Sequence, residues 1–244
     1  MSSLACVGND KTMNINPLIL TNIQSSLYFK NTLVEITSYG DIIDEIYNRV
    51  SHLEPWEKGT RHQGGQTGMC GGVRGVGSGG IISSSFCLLY KLHTMRLGGR
   101  QLHGLITHRD SPYIRAMGFM YLRFTQLKTL WGWFEPFLND HQPIDVKAGG
   151  GHVISIGEML RLWLTKLDWF ETIFPRIPVP VHKEIDAKLR ELGPYKSPVE
   201  EKGRERSYSP SPSPPPRRRR HHRRETSYER RLRKEHERMR RRRR

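Results

Sequence analysis

The chain has 244 residues, 36% of them hydrophobic, with three cysteines and a formal net charge of +16. That length suffices for one domain with its own core plus a tail, and Cys6, Cys70 and Cys87, which form no CxxC pair, suggest neither a disulfide framework nor a zinc ribbon. The charge is unevenly placed: from Glu201 onward there are 19 Lys and Arg against 6 Asp and Glu, leaving 21 against 18, a surplus of +3, for residues 1–200.

Residues 1–13 contain no basic segment followed by an apolar stretch, so a flexible N-terminus without a secretion signal is expected. Asn16-Pro17 predicts an N-cap with proline at the first helical position, and Ile19, Ile23 and Leu27 continue that helix at fourfold spacing. Ser38 with Asp41 resembles a capping box. It precedes Ile42, Ile43, Ile46 and Val50 on one face and Asp44, Glu45, Asn48 and Arg49 on the other, and Pro55 is expected to end the helix.

The run Met69-Cys70-Gly71-Gly72-Val73-Arg74-Gly75-Val76-Gly77-Ser78-Gly79-Gly80 has six glycines in twelve residues. Each glycine costs a helix interior roughly 1 kcal/mol relative to alanine, so this is an irregular loop. Its Met69, Cys70, Val73 and Val76 predict packing against the core rather than a free linker. Residues 81–97 then carry Ile82, Phe86, Leu89 and Tyr90 at helical intervals, and a shorter helix is expected over 100–107. The apolar run at 81–90 is too short and too rich in serine to cross a bilayer, so no membrane partner is expected.

Ser111-Pro112 opens a helix bearing Ile114, Met117, Tyr121 and Phe124, and Ser155 with Glu158 makes a second capping box ahead of Met159, Leu160, Trp163 and Leu167. Val181, Ile185, Leu189 and Leu192 form a last stripe, stopped by Gly193-Pro194. No sustained alternation of β-branched residues occurs, which predicts an all-α fold: a single helical domain over 14–192 with an irregular Gly-rich loop. Residues 193–244 are expected to be a disordered basic tail, because Ser-Pro repeats and like charge bury nothing.

Several patterns imitate active sites. Gly75, Gly77 and Gly80 satisfy G-x-G-x-x-G, but no strand precedes them and no acid follows at the ribose-binding distance. His108-Arg109-Asp110 imitates a kinase catalytic loop, but Arg115 stands where the asparagine belongs and no D-F-G follows. The eleven histidines include no H-E-x-x-H, and no serine sits in a nucleophile elbow. No enzyme activity, cofactor, metal or small-molecule substrate is therefore expected.

In the tail, Arg217, Arg218, Arg219, Arg220, Arg223 and Arg224, and then Arg240, Arg241, Arg242, Arg243 and Arg244, form dense cationic runs suited to nuclear import and phosphate backbones. A solvated solubility tail is the bland account of scattered charge, whereas runs of four and five arginines carry a large local potential. With no recognition fold and few aromatics there, RNA contact is expected to be salt-sensitive and non-specific. Ser209, Ser211 and Ser213 each precede proline and are candidates for phosphorylation. Each phosphate would add roughly 1.5 to 2 negative charges, making a charge switch, while a plain spacer is the alternative. In the domain, the segment Leu130-Trp131-Gly132-Trp133-Phe134-Glu135-Pro136-Phe137 is too aromatic to expect complete burial, so Trp131 and Trp133 are candidate partner contacts.

Five stretches together carry a family resemblance: Asn16-Pro17-Leu18, Leu53-Glu54-Pro55-Trp56-Glu57, the Gly71-Gly72-Val73-Arg74-Gly75 loop, residues 111–123 from Ser111-Pro112-Tyr113 to Arg123, and Phe174-Pro175-Arg176-Ile177-Pro178. They resemble the pre-mRNA-splicing factor 38 family, closest to its B branch. The resemblance implies an all-helical, non-enzymatic nuclear protein that scaffolds other spliceosomal proteins around spliceosome activation. It marks Trp56, Gly71, Gly72, Val73, Arg74, Gly75, Tyr113, Arg115, Tyr121 and Arg123 as signature or partner-binding positions. The alternative is a direct RNA-binding protein whose folded domain contacts RNA, against which the small domain charge argues.

Overall fold

The computed structural model describes residues 4–60, 80–170 and 172–195. The chain divides into two units, Met1–Lys202 and Gly203–Arg244, the second wholly outside the described residues. The arginine runs and the Ser-Pro serines expected of the tail therefore lie outside the described residues, as do Cys70 and Gly71 to Gly75 of the glycine-rich segment.

Asn16 caps α1 (Pro17–Ser25), its side chain accepting a hydrogen bond from the Leu18 N–H at 2.9 Å. The predicted stripe stops at Ile23, because Ser26 turns extended and ends the helix. A π-helix, Tyr28–Leu33, follows, and Leu27 lies in the corner between the two, outside the core. In α2 (Tyr39–Arg49) the Ser38 hydroxyl accepts from the Gly40 N–H, and Ile42 and Ile46 are buried; the helix stops well before Pro55.

Helix α3 (Ser84–Thr94) starts later than predicted, because the Ser83 hydroxyl accepts from the Phe86 N–H and sets the first turn there. Ile82 instead pairs with Trp56 in an isolated antiparallel bridge. Next come α4 (Gly99–Ile106), α5 (Pro112–Thr125, capped by Ser111) and the short α6 (Leu130–Phe134), which runs into a 3-10 turn at Glu135–Phe137.

Here the all-α expectation needs correcting. Pro143–Asp145 (β1) pairs antiparallel with Val153–Ser155 (β2), opposing Ile144 to Ile154, and Asp168–Trp169 (β3) pairs with Thr172–Ile173 (β4). These strands are two or three residues long, too short for alternation to register in sequence. The first hairpin closes through Gly149, Gly150 and Gly151, all at positive φ, where side chains would be strained. Ser155 then caps α7 (Ile156–Thr165), whose end leaves Leu167 exposed. Helix α8 (Val179–Leu192) follows, ended by Gly193 at φ 71°.

Helix α5 is the axis of the domain. Every residue from Ile114 to Thr125 is buried, and the helix touches α2, α3, α4, α6, α7 and β1. A helix buried all round belongs in an interior. Gly118 lets α4 close on it: a Cβ there would stand 2.9 Å from Leu105 Cβ and Ile106 Cγ2. Edge-to-face aromatic contacts knit the rest, with Phe86 of α3 on Phe124 at 6.5 Å, and Phe124 and Trp163 both on Phe174.

Residues 4–13, expected to be flexible, are instead docked along the ends of α3 and α5. Val7 N–H donates to Thr125 O at 2.8 Å, Gln126 Nε2 to Ala5 O at 2.8 Å, and Asn14 Nδ2 to both Val7 O and Phe124 O. Asp10 meets Arg96 at 2.7 Å, and its carbonyl lies 2.6 Å from His93 Nε2. Composition gave no hint, because this clasp is made by polar groups of residues distant in sequence. Among the described residues no helix is long and apolar enough to cross a membrane.

Candidate protein-interaction surface

The signature residues of α5 serve the interior. Arg123 is fully buried and, among the described residues, has no carboxylate beside it: Nε donates to Trp163 O at 2.8 Å, NH1 to Pro175 O at 2.7 Å, and the guanidinium lies 4.8 Å from the centroid of Phe174. Burial lowers its pKa to about 10. Arg115, also buried, donates through Nε to Ile106 O and through its terminal nitrogens to Gln142 and Asp140, with Phe137 5.5 Å below it. Tyr121 is buried, and desolvation pushes its hydroxyl up to about 12. Half-buried Tyr113 donates to Asp145 O at 3.1 Å. Trp56 is buried in its bridge with Ile82. These five positions hold helices together and offer a partner little surface.

The aromatic segment is mixed. Phe134 is buried against Phe119, while Trp131, Trp133 and Phe137 are half-buried, and Lys188 of α8 lies 5.3 Å from the Trp131 ring centroid. Trp131 and Trp133 thus keep an accessible edge on an otherwise fixed ledge.

The least satisfied apolar surface lies elsewhere, at the α1 to π-helix corner. Leu27 is 74% exposed and Ile81 64% exposed, and both line a groove of about 370 Å³ together with Tyr28 and Ile82. The Tyr28 hydroxyl donates to Glu45 at 2.8 Å, and the Glu57 N–H donates to Ile81 O at 2.9 Å. π-helical turns recur at functional sites. Sequence reasoning missed both residues because it placed Leu27 and the 81–82 pair inside helices, and no local pattern marked either helix boundary.

Of the motifs that imitate active sites, Gly75 and Gly77 lie outside the described residues, while the kinase-like one falls in a surface turn. His108 and Asp110 sit 3.8 Å apart in the exposed turn between α4 and α5. Among the described residues no three His, Cys, Asp or Glu converge as metal ligands. Asp145 is held below the usual carboxylate range chiefly by the Lys147 N–H, then by those of Gly151 and His152, and it serves the β1–β2 loop.

A family profile described as the PRP38 family matches residues 4–187. "Pre-mRNA-splicing factor 38B" of Homo sapiens is 66% identical over 184 residues, covering 75% of this chain and 34% of that protein. Its Danio rerio counterpart is 60% identical over 190 residues, covering 78% of this chain and 38% of that protein. "Pre-mRNA splicing factor SR-like 1" of Arabidopsis thaliana is 42% identical over 179 residues, covering 73% and 40% of the two chains. The chain thus spans about a third of the length of the vertebrate relatives. A chain in the crystal structure of the Snu23-Prp38-MFAP1(217-258) complex of Chaetomium thermophilum has the same fold, with a TM-score of 0.60 at 21% identity, covering 83% of this chain and 98% of that one. With a family match that includes the docked N-terminal arm and runs into α8, the chain belongs to the PRP38 family, on the side of its B branch.

Proposed function

We propose that the chain is a non-enzymatic pre-mRNA splicing factor that acts in the nucleus as a protein scaffold around spliceosome activation. Its tail would serve import and non-specific RNA contact. The observation that carries the reading is how the domain uses its side chains: the α5 arginines and aromatics are absorbed in the core, while the apolar Leu27 and Ile81 stay exposed around one groove. Exposed apolar residues gathered at a concave site mark contact surfaces. The family supports the splicing context, and the fungal chain that shares the fold comes from a Snu23-Prp38-MFAP1(217-258) complex, an assembly of several proteins.

The test is affinity purification of the full chain from nuclear extract, with and without ribonuclease. Retention of spliceosomal proteins after ribonuclease supports protein docking. Their complete loss would mean that the chain associates through RNA, the alternative reading. Titrating labelled RNA against full-length and tail-less chain at two salt concentrations then locates the RNA contact; tight binding that survives tail removal would refute the role given to the tail.

A further inference from the structure

We propose that the groove at the α1 to π-helix corner receives a segment of another polypeptide that carries adjacent aliphatic residues flanked by Lys or Arg. The proposal rests on the protein-docking reading and specifies its partner chemistry. The floor is apolar: Leu27, Tyr28, Ile81 and Ile82 line it, the small or polar Asn22, Ser25, Ser26 and Gly80 complete the wall, and none of its lining residues is charged. Its volume of about 370 Å³ lies at the small end of the range for ligand sites, room for a few side chains rather than a domain.

The fold makes no use of Leu27. Ser26 breaks α1, the π-helix starts at Tyr28, and the side chain between them faces outward at 74% exposure. Across the groove, Ile81 stands 64% exposed just before Ser83 starts α3.

The surroundings give the occupant its charge. Glu45 is tied to the groove through Tyr28, and Glu57, its side chain 39% exposed, is tied to it through the backbone of Ile81. Asp41 and Asp44 are exposed on α2, and Glu35 is exposed just before it. Residues 17–57 hold six acids, all but Glu54 at least partly exposed, against two basic residues, in a domain whose overall surplus is +3. Of those two, Arg49 already bridges Glu45 at 3.4 Å, which leaves Lys30. A basic flank would meet this acidic side, whereas an acidic segment or RNA would be repelled.

The test places the photo-crosslinking residue p-benzoylphenylalanine at Leu27 of the full chain in nuclear extract, with Val179, 68% exposed on α8, as control. Expected is enrichment at position 27 of cross-linked peptides with aliphatic residues next to Lys or Arg. Ile81→Asp, and separately Asp41→Lys with Asp44→Lys, should lower that yield by at least about fivefold while each variant still melts cooperatively as a folded domain. No enrichment over Val179, or products that are acidic segments, RNA or this chain's own tail, would overturn the proposal. If spliceosomal proteins still co-purify in that case, only the groove assignment fails; if none co-purify with the unmodified chain, the docking reading fails as well.

Discussion

Arg123 offers the sharpest test of how the domain is held together. It is a fully buried guanidinium, satisfied by the carbonyls of Trp163 and Pro175 and by the face of Phe174, with no acid beside it among the described residues. The fall of its pKa from the ordinary guanidinium value to about 10 corresponds to about 3 kcal/mol of desolvation cost, the weight of a shift that size. Arg123→Met removes that cost but leaves two buried acceptors without donors, at about 1–3 kcal/mol each, so the two effects largely offset and the net change should lie between about neutral and a loss of about 3 kcal/mol. Arg123→Ala adds a cavity and should cost about 4–6 kcal/mol, a large part of the stability of a typical domain. Urea denaturation read by tryptophan fluorescence measures both, since Trp163 and Trp169 meet edge to face, 5.2 Å apart, beside the site. The pH dependence has a definite sign. The unfolded chain binds this proton more tightly, so the penalty is constant below about pH 10, and stability from this group rises as pH climbs above that. The margin of wild type over Arg123→Met should therefore widen above pH 10. An Arg123→Ala loss below about 1 kcal/mol, or a Met variant as costly as the Ala one, would contradict this account of the guanidinium.

The remaining predictions concern packing and access. Gly118→Ala should destabilise by about 1–3 kcal/mol because its Cβ would meet α4, whereas Gly132→Ala, with open space around it in α6, should be neutral or slightly stabilising; equal effects in denaturation would contradict the close approach of α4 and α5. Deleting residues 1–12 should lower the melting temperature by several degrees, since it removes the hydrogen bonds of Val7 and Ala5 and the Asp10 contacts; an unchanged melting curve would restore the flexible-terminus expectation. Cys87, whose thiol burial pushes up to about 12, should resist iodoacetamide at pH 8 until the domain unfolds, as peptide mass mapping would reveal. Because the folded state holds that proton above the ordinary value of 9.0, the stability it contributes is full below about pH 9 and declines as pH climbs toward about 12; Cys87→Ala should flatten that decline.

The helices of this chain were readable wherever capping chemistry and apolar spacing coincide. Asn16-Pro17, Ser111-Pro112 and Ser155 with Glu158 each start a helix where expected, because a cap acts through its own next two or three residues. The family, too, could be read from the chain's own motifs. What three-dimensional packing alone decided is which side of each element is used. The N-terminal arm is ordered by Thr125, Gln126, Phe124 and Arg96, far away in sequence, so nothing local announces it. The two hairpins are held by their surroundings, as when Trp169 Nε1 donates to Leu53 O at 2.9 Å, and not by any β pattern of their own. Arg115 and Arg123, marked in the sequence as signature or partner-binding positions, are interior cross-braces, because carbonyls and carboxylates from other elements meet them there. Leu27 reads as core and turns out to be surface, because one extended serine redirects the chain before it. Spacing reports only the neighbours a residue has along its own element, and burial is settled by the neighbours that folding brings from elsewhere.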